Sequence, residues 1–177
     1  SKIQQGLASA ARIFAILDIE PEIKDRPGAS TLPSFQHQIE FKDLSFSYGQ
    51  TEVLHDINIS VPSGQALAIV GPSGGGKTTL TNLIPRFLEP EANKILIDGH
   101  DIREVTMSSL RDQIAMVTQQ TILFNDTVRN NIAYGDQEAS LDQIRQAAEA
   151  AHALEFIEEL PEGFDTVIGE SGARLSG

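Results

Sequence analysis

Apolar residues recur with two different periods along this chain, and the switches between periods divide it into segments. At the start, Ile3, Leu7, Ala10, Ala11, Phe14 and Leu17 repeat at helical spacing, which predicts an amphipathic helix. Glu20-Pro21 ends it, because proline disfavours helical backbone at the residue before it. Residues 23–38 are rich in charge, proline and small polar side chains and read as a linker. From Ile39 the period becomes two. Ile39 and Phe41, then Leu44, Phe46 and Tyr48, predict a half-buried strand with a slip near Lys42-Asp43, closed by Gly49-Gln50. Residues 66–70 are a continuous apolar run, as expected of a buried parallel strand. Leu80, Leu83, Ile84, Phe87 and Leu88 return to helical spacing, so a helix is expected to start near Lys77. Short apolar runs at 94–98 and 114–119 predict two more strands. Asp126-Thr127 can cap a helix over 128–133. Ser140 precedes Leu141, Ile144, Ala147, Ala148 and Ala151, a further helical face. Leu154, Phe156, Ile157 and Leu160 continue that face until Pro161-Glu-Gly163 breaks it.

Composition narrows what such a chain can do. Its 177 residues suffice for one domain with a sizeable core. The net charge of −12 argues against a nucleic-acid partner, which needs a basic stripe. There is no cysteine, so disulfides and thiolate metal sites are excluded. The four histidines, His37, His55, His100 and His152, are scattered without ligand spacing. No run approaches the roughly 20 apolar residues of a membrane span, so any membrane link is expected to come from sequence outside this chain.

The candidate chemistry lies between the apolar run at 66–70 and the helix near Lys77. Gly71-Pro72-Ser73-Gly74-Gly75-Gly76-Lys77-Thr78-Thr79 fits the phosphate-binding pattern G-x-x-x-x-G-K-[ST]. Glycines let backbone N–H groups approach a triphosphate. Lys77 offers a point charge for the β- and γ-phosphates, and Thr78 a hydroxyl for Mg²⁺. The order strand, loop, Lys-Thr, helix disfavours the plain alternative of a glycine-rich surface turn. The loop alone leaves kinases, GTPases, motor ATPases and transporters open. On pattern alone, Tyr48 is a core-facing strand aromatic and Gln119 a solvated strand end.

Taken together, the phosphate loop, Phe46-Ser-Tyr48-Gly49, Ile97-Asp-Gly99, Val117-Thr-Gln119, Leu123-Phe-Asn-Asp-Thr-Val128, Asn131-Ile-Ala-Tyr134-Gly135 and Leu175-Ser-Gly177 resemble the nucleotide-binding domain of ABC transporters. The resemblance covers the chain from Ile39 onward. It implies an α/β fold of the ABC type of P-loop NTPase. That fold has a mixed sheet with an antiparallel portion near Tyr48 and a helical subdomain over about 120–177, and here it is expected to be incomplete at the C-terminus. It implies ATP and Mg²⁺ as ligands, held by Tyr48, by residues Gly71 to Thr79 and by Gln119. In this reading Tyr48 stacks on adenine and Thr79 meets the α-phosphate. Thr78 and Gln119 reach Mg²⁺, and Gln119 also senses the attacking water. Leu175, Ser176 and Gly177 match the start of the signature motif that faces the ATP of a second subunit. Residues 166–172 resemble the loop of ABC exporters that contacts the membrane domain. Asn93 stands where the family has a glycine in a left-handed turn, which asparagine tolerates, and Gln120 stands where the family often has an acidic residue.

The N-terminal helix, 1–19, resembles the cytoplasmic end of the last membrane helix of half-size exporters, with 20–38 the linker and 39–177 the ATP-binding domain. The nearest likeness is to the lipid A flippase branch of bacterial exporters. This implies an ATPase at the cytoplasmic side of the bacterial inner membrane, fused to a membrane domain that binds a lipid or hydrophobic substrate and working as a homodimer. The alternatives are a soluble ABC-type ATPase of repair or translation, or a stand-alone nucleotide-binding regulatory module. The general-base glutamate and switch histidine of the family are expected beyond Gly177, so no catalytic base is assigned and the chain alone is expected to lack turnover.

Overall fold

A bulged antiparallel hairpin organises the first part of the fold. The computed structural model describes residues 2–118 and 122–169, with the backbone alone for 2–6 and 8. Two compact units divide the chain, one over residues 1–116 and the other over 117–177.

In the first unit, helix α1 (Lys2–Leu17) is followed by the hairpin of β1 (Gln38–Tyr48) and β2 (Thr51–Pro62). Helix α2 (Lys77–Leu83), strands β3 (Ile95–Ile97) and β4 (His100–Asp101), and helix α3 (Met107–Arg111) complete it. The sheet order is β2-β1-β3-β4, antiparallel throughout. The expected slip near Lys42-Asp43 is a β-bulge. Register shifts between Phe41 and Leu44, and Asp43 takes φ 44°. Asn58 fastens the bulge: its Oδ1 accepts from the Asp43 amide and its Nδ2 donates to Asp43 Oδ1, each at 2.9 Å. The extra residue lets Phe41 and Leu44 both point inward. They join Leu54, Leu80, Leu83, Ile95, Ile97 and Leu110 in the core. Asn93 is left-handed, φ 60°, as its place before β3 requires, and Asp101 Oδ2 accepts from its amide at 2.7 Å.

Two expectations fail here. Residues 66–70 and 114–118 are not strands. Val70 is 88 % exposed and Val117 97 %. An apolar run becomes a parallel strand only when a neighbouring strand completes its ladder, and none of the described strands pairs with either run. The parallel part of the expected mixed sheet is therefore absent among the described residues. One strand was also unforeseen. β2 follows the turn at Gly49-Gln50 directly, and its Val53, Ile57, Ile59 and Val61 carry a legible alternation.

The segment read as a linker is hydrogen-bonded along its length. Asp25 Oδ1 accepts from the Met107 amide at 2.7 Å, and Arg26 pairs with Glu104 at 2.5 Å. Ser30 makes a parallel bridge with Val105. Leu32 enters the core while its amide donates to Ser109 Oγ at 2.9 Å. At its end, Asp98 accepts from three consecutive amides, Gln36, His37 and Gln38, at 2.7–2.8 Å.

The second unit is helical: α4 (Val128–Ile132), α5 (Leu141–Ala150) and α6 (Leu154–Glu158), with 3-10 turns at Ala133–Gly135 and Gly163–Asp165. Thr127 caps α4, and Ser140 with Gln143 forms a capping box on α5. Val128, Ala148, Ile157 and Ile168 are its core. Asn131 clamps the backbone of Phe124, accepting from its amide at 2.8 Å and donating to its carbonyl at 3.1 Å.

Burial of the Asp98 carboxylate opposes its ionisation, but the three amides and the neighbouring His37 outweigh this and hold its carboxyl below the ordinary 3.8. A depressed value means that its contribution is complete above the ordinary value and is lost as pH falls through the folded one. Intrinsic amide exchange slows as pH falls from about 5 toward about 3, but the amides of residues 36–38 should lose protection over this range, an acceleration relative to the intrinsic rate. Asp98→Asn should remove that extra acceleration, and an unchanged profile in this variant would assign the effect elsewhere.

Candidate functional site

The phosphate-loop sequence folds into a bend seated on the hairpin. Gly76 is the N-cap of α2 in the left-handed region, φ 79°. A Cβ there would lie 2.7 Å from Leu54 Cδ2 and 3.1 Å from the Val53 carbonyl oxygen. Only glycine permits both the backbone conformation and the approach to β2. The seat places Lys77 at the first helical position, with Thr78 and Thr79 behind it.

Tyr48, Val53, Ser73, Gly74, Gly75, Gly76, Lys77, Thr78 and Thr79 line one cavity of about 320 Å³. Residues from the end of β1, the start of β2, the loop and the first turn of α2 thus converge. Tyr48 is 51 % exposed and held edge-on by Phe46, ring centroids 5.2 Å apart. It is not the core-facing aromatic that its strand pattern alone suggests; it is half exposed and lines the cavity. Among the described residues Lys77 Nζ has no acidic partner. It donates to the carbonyls of Gly71 at 3.0 Å and Pro72 at 2.7 Å, folding its ammonium back over the loop. Neutral carbonyls are weaker partners for an ammonium than anionic oxygens, so the lysine can exchange them for phosphate. Thr79 is buried, whereas Thr78 is exposed on the cavity wall.

Thus Tyr48 and residues 73–79 are brought together, and Gly71 and Pro72 meet the site through Lys77. Gln119, Leu175, Ser176 and Gly177 lie outside the described residues. No group of three or more acidic or histidine side chains able to hold a metal occurs among the described residues. Thr78 is the one described hydroxyl proposed for Mg²⁺, and its exposed place on the wall fits a cation carried in by phosphate. Sequence reasoning missed Val53, which lines the cavity, and Leu54, which supports Gly76; the alternation in 51–62 was the available signal.

The ABC transporter family pattern matches residues 54–177. A Desulfotalea psychrophila protein named ATP-dependent lipid A-core flippase is 68 % identical over 177 residues, covering 100 % of this chain and 31 % of that protein. A Syntrophus aciditrophicus protein of the same name is 59 % identical over 175 residues, covering 99 % of this chain and 29 % of that protein. Among solved structures, a bacterial Atm1-family ABC exporter with ATP bound superposes with a TM-score of 0.87 at 43 % identity, over 99 % of this chain and 31 % of that one. The chain spans about a third of the length of these proteins.

Gly76→Ala tests the seat. The left-handed backbone and the 2.7 Å approach should together destabilise the first unit by about 1–3 kcal/mol, read as a lowered urea midpoint. A variant as stable as the parent would show that the loop does not rest on β2.

Proposed function

The chain belongs to the ABC transporter family, and from that premise we propose that it binds Mg-ATP as the nucleotide-binding portion of a lipid-exporting ATPase. The observation that carries the reading is the shared cavity of Tyr48, Val53 and the phosphate loop. Tyr48 stacks on the adenine and Val53 packs at the base end. The loop amides and Lys77 take the β- and γ-phosphates, and Thr79 the α-phosphate. Thr78 holds Mg²⁺, whose charge offsets that of the phosphates when bound. Gln119 contributes to the metal and the attacking water, and Leu175, Ser176 and Gly177 to the ATP of a second subunit, as their motifs suggest.

The names of the relatives support a lipid A-like substrate for the whole protein. On this reading the parent is a homodimer with fused membrane domains, and this portion lies on the cytoplasmic side of the bacterial inner membrane. No described helix is long and apolar enough to cross a membrane. No carboxylate is among the described residues lining the cavity. Phosphate release by this chain alone is expected at baseline.

Equilibrium dialysis with labelled ATP tests the site. Lys77→Ala should abolish most binding; unchanged binding would refute the assignment. Tyr48→Ala should weaken ATP by about 1–3 kcal/mol, the range for base–aromatic stacking, whereas Tyr48→Phe should be mild. Because stacking tolerates any base, GTP should bind as well. Wild-type affinity in a stably folded Tyr48→Ala chain would reduce Tyr48 to a bystander.

A further inference from the structure

The connection between α1 and β1 is anchored at both ends by charged groups of the fold. At its N-terminal end the anchor is Arg86. This side chain is 1 % exposed, and its backbone is left-handed, φ 54°. Its Nη2 donates to the Lys24 carbonyl at 3.3 Å, and its Nη1 to those of Ile102 at 3.3 Å and Val105 at 3.5 Å. Nε and Nη2 grip the Glu89 carboxylate at 3.0–3.2 Å. Arg103 Nε stands 2.9 Å from Glu89 as an ion pair without hydrogen-bond alignment. Arg86 lies three residues beyond the end of α2, its amide donating to the Leu83 carbonyl at 3.2 Å. One buried guanidinium thus joins the connection, the edge of β4 and the end of the phosphate-loop helix.

At the C-terminal end the anchor is Asp98, which takes three successive amides and returns its own amide to the Gln38 carbonyl at 2.9 Å. Between the anchors lie the Asp25 contact to α3, the Ser30–Val105 bridge and Leu32 in the core. Gln113 adds three contacts, accepting from the Phe35 amide at 2.7 Å and donating to the carbonyls of Leu32 at 3.4 Å and Pro33 at 3.1 Å. A free tether would spend its amides on water. This one places them on the fold.

We propose that residues 24–38 form a tension-carrying strap, anchored at Arg86 and Asp98, that delivers displacement of α1 to the end of the phosphate-loop helix. The strap confines the free chain between α1 and the fold to residues 18–23: once these are taut, a pull on α1 reaches Lys24, which is hydrogen-bonded to Arg86 just beyond α2. The proposal stands apart from the nucleotide reading, since nothing in it depends on what the cavity binds.

Single-molecule pulling on the full chain tests it. The chain has no cysteine, so Glu20→Cys and Gln50→Cys supply unique handles, one before the strap and one at the hairpin turn. A free linker would give up to about 60 Å of extension before the hairpin resists, at 3.3–3.6 Å per residue. The strap should instead hold until β1 ruptures, giving one combined event. Adding Arg86→Met and Asp98→Gly, which removes both anchors, should split this into an early strap-length step and a later rupture. Glycine keeps the left-handed backbone of Asp98, φ 50°, while removing its acceptors. An early step in the unaltered pair of handles would overturn the proposal, as would a single unsplit rupture in the folded anchor variant. Hydrogen exchange supplies the arm that needs no substitution. The amides of Leu32, Phe35, Gln36 and His37 should be protected to the degree of β1, and free-chain rates there would overturn the strap.

Discussion

The seating of Gly76 on β2 is the contact on which the candidate site depends. The chain runs from β2 through residues 66–70 to the loop, and the loop must return against the strand it left. Because Gly76 carries no Cβ, the loop can lie against the Val53 carbonyl and the Leu54 side chain. That single approach sets where α2 begins. It therefore fixes Lys77, Thr78 and Thr79 relative to Tyr48, which the β1–β2 turn places across the cavity. The hairpin is both the floor of the phosphate loop and the support of the aromatic. A bulge at Asp43 lets one strand serve both purposes, turning Phe41 and Leu44 into the core while Tyr48 stays half exposed.

A second constraint is the buried charge of Arg86. Removing a guanidinium from water is costly unless its donors are all met. Here three backbone carbonyls and the Glu89 carboxylate meet them. The carbonyls come from parts of the chain far apart in sequence. Such a group contributes less through net stability than through specificity: the connection, β4 and the end of α2 can satisfy it in one arrangement. The strong anchors of the connecting segment, Arg86 and Asp98, both act on backbone groups. This is why a segment rich in proline and small polar residues can be ordered without a regular element of its own.

The exposed runs at 66–70 and 116–117 show the opposite situation. Their side chains are those of a doubly buried strand, yet Val70 and Val117 face solvent. Backbone pairing, not side-chain character, makes a strand, and the described residues offer these runs no ladder. Apolar surface with unpaired backbone beside it is prone to associate with other chains.

Local chemistry was legible in the sequence. The start of α2 at Lys77, the bulge near Lys42-Asp43, the left-handed Asn93, and the caps of Thr127 and Ser140 each depend on a few adjacent residues, and the structure has each of them because its cause is local. Short local motifs, the phosphate loop among them, carried the resemblance to the ABC transporter family. Tertiary structure decided what depends on distant partners. Whether Tyr48 faces core or cavity rests on Phe46 and the hairpin turn. Whether 66–70 and 114–118 are strands rests on a neighbour. Residues 24–38 look like a free linker because nothing in their own side chains orders them. The carboxylate of Asp98, the guanidinium of Arg86 and the hydroxyl of Ser109 do so from elsewhere in the chain, and one-dimensional pattern contains no term for a partner that only folding brings near.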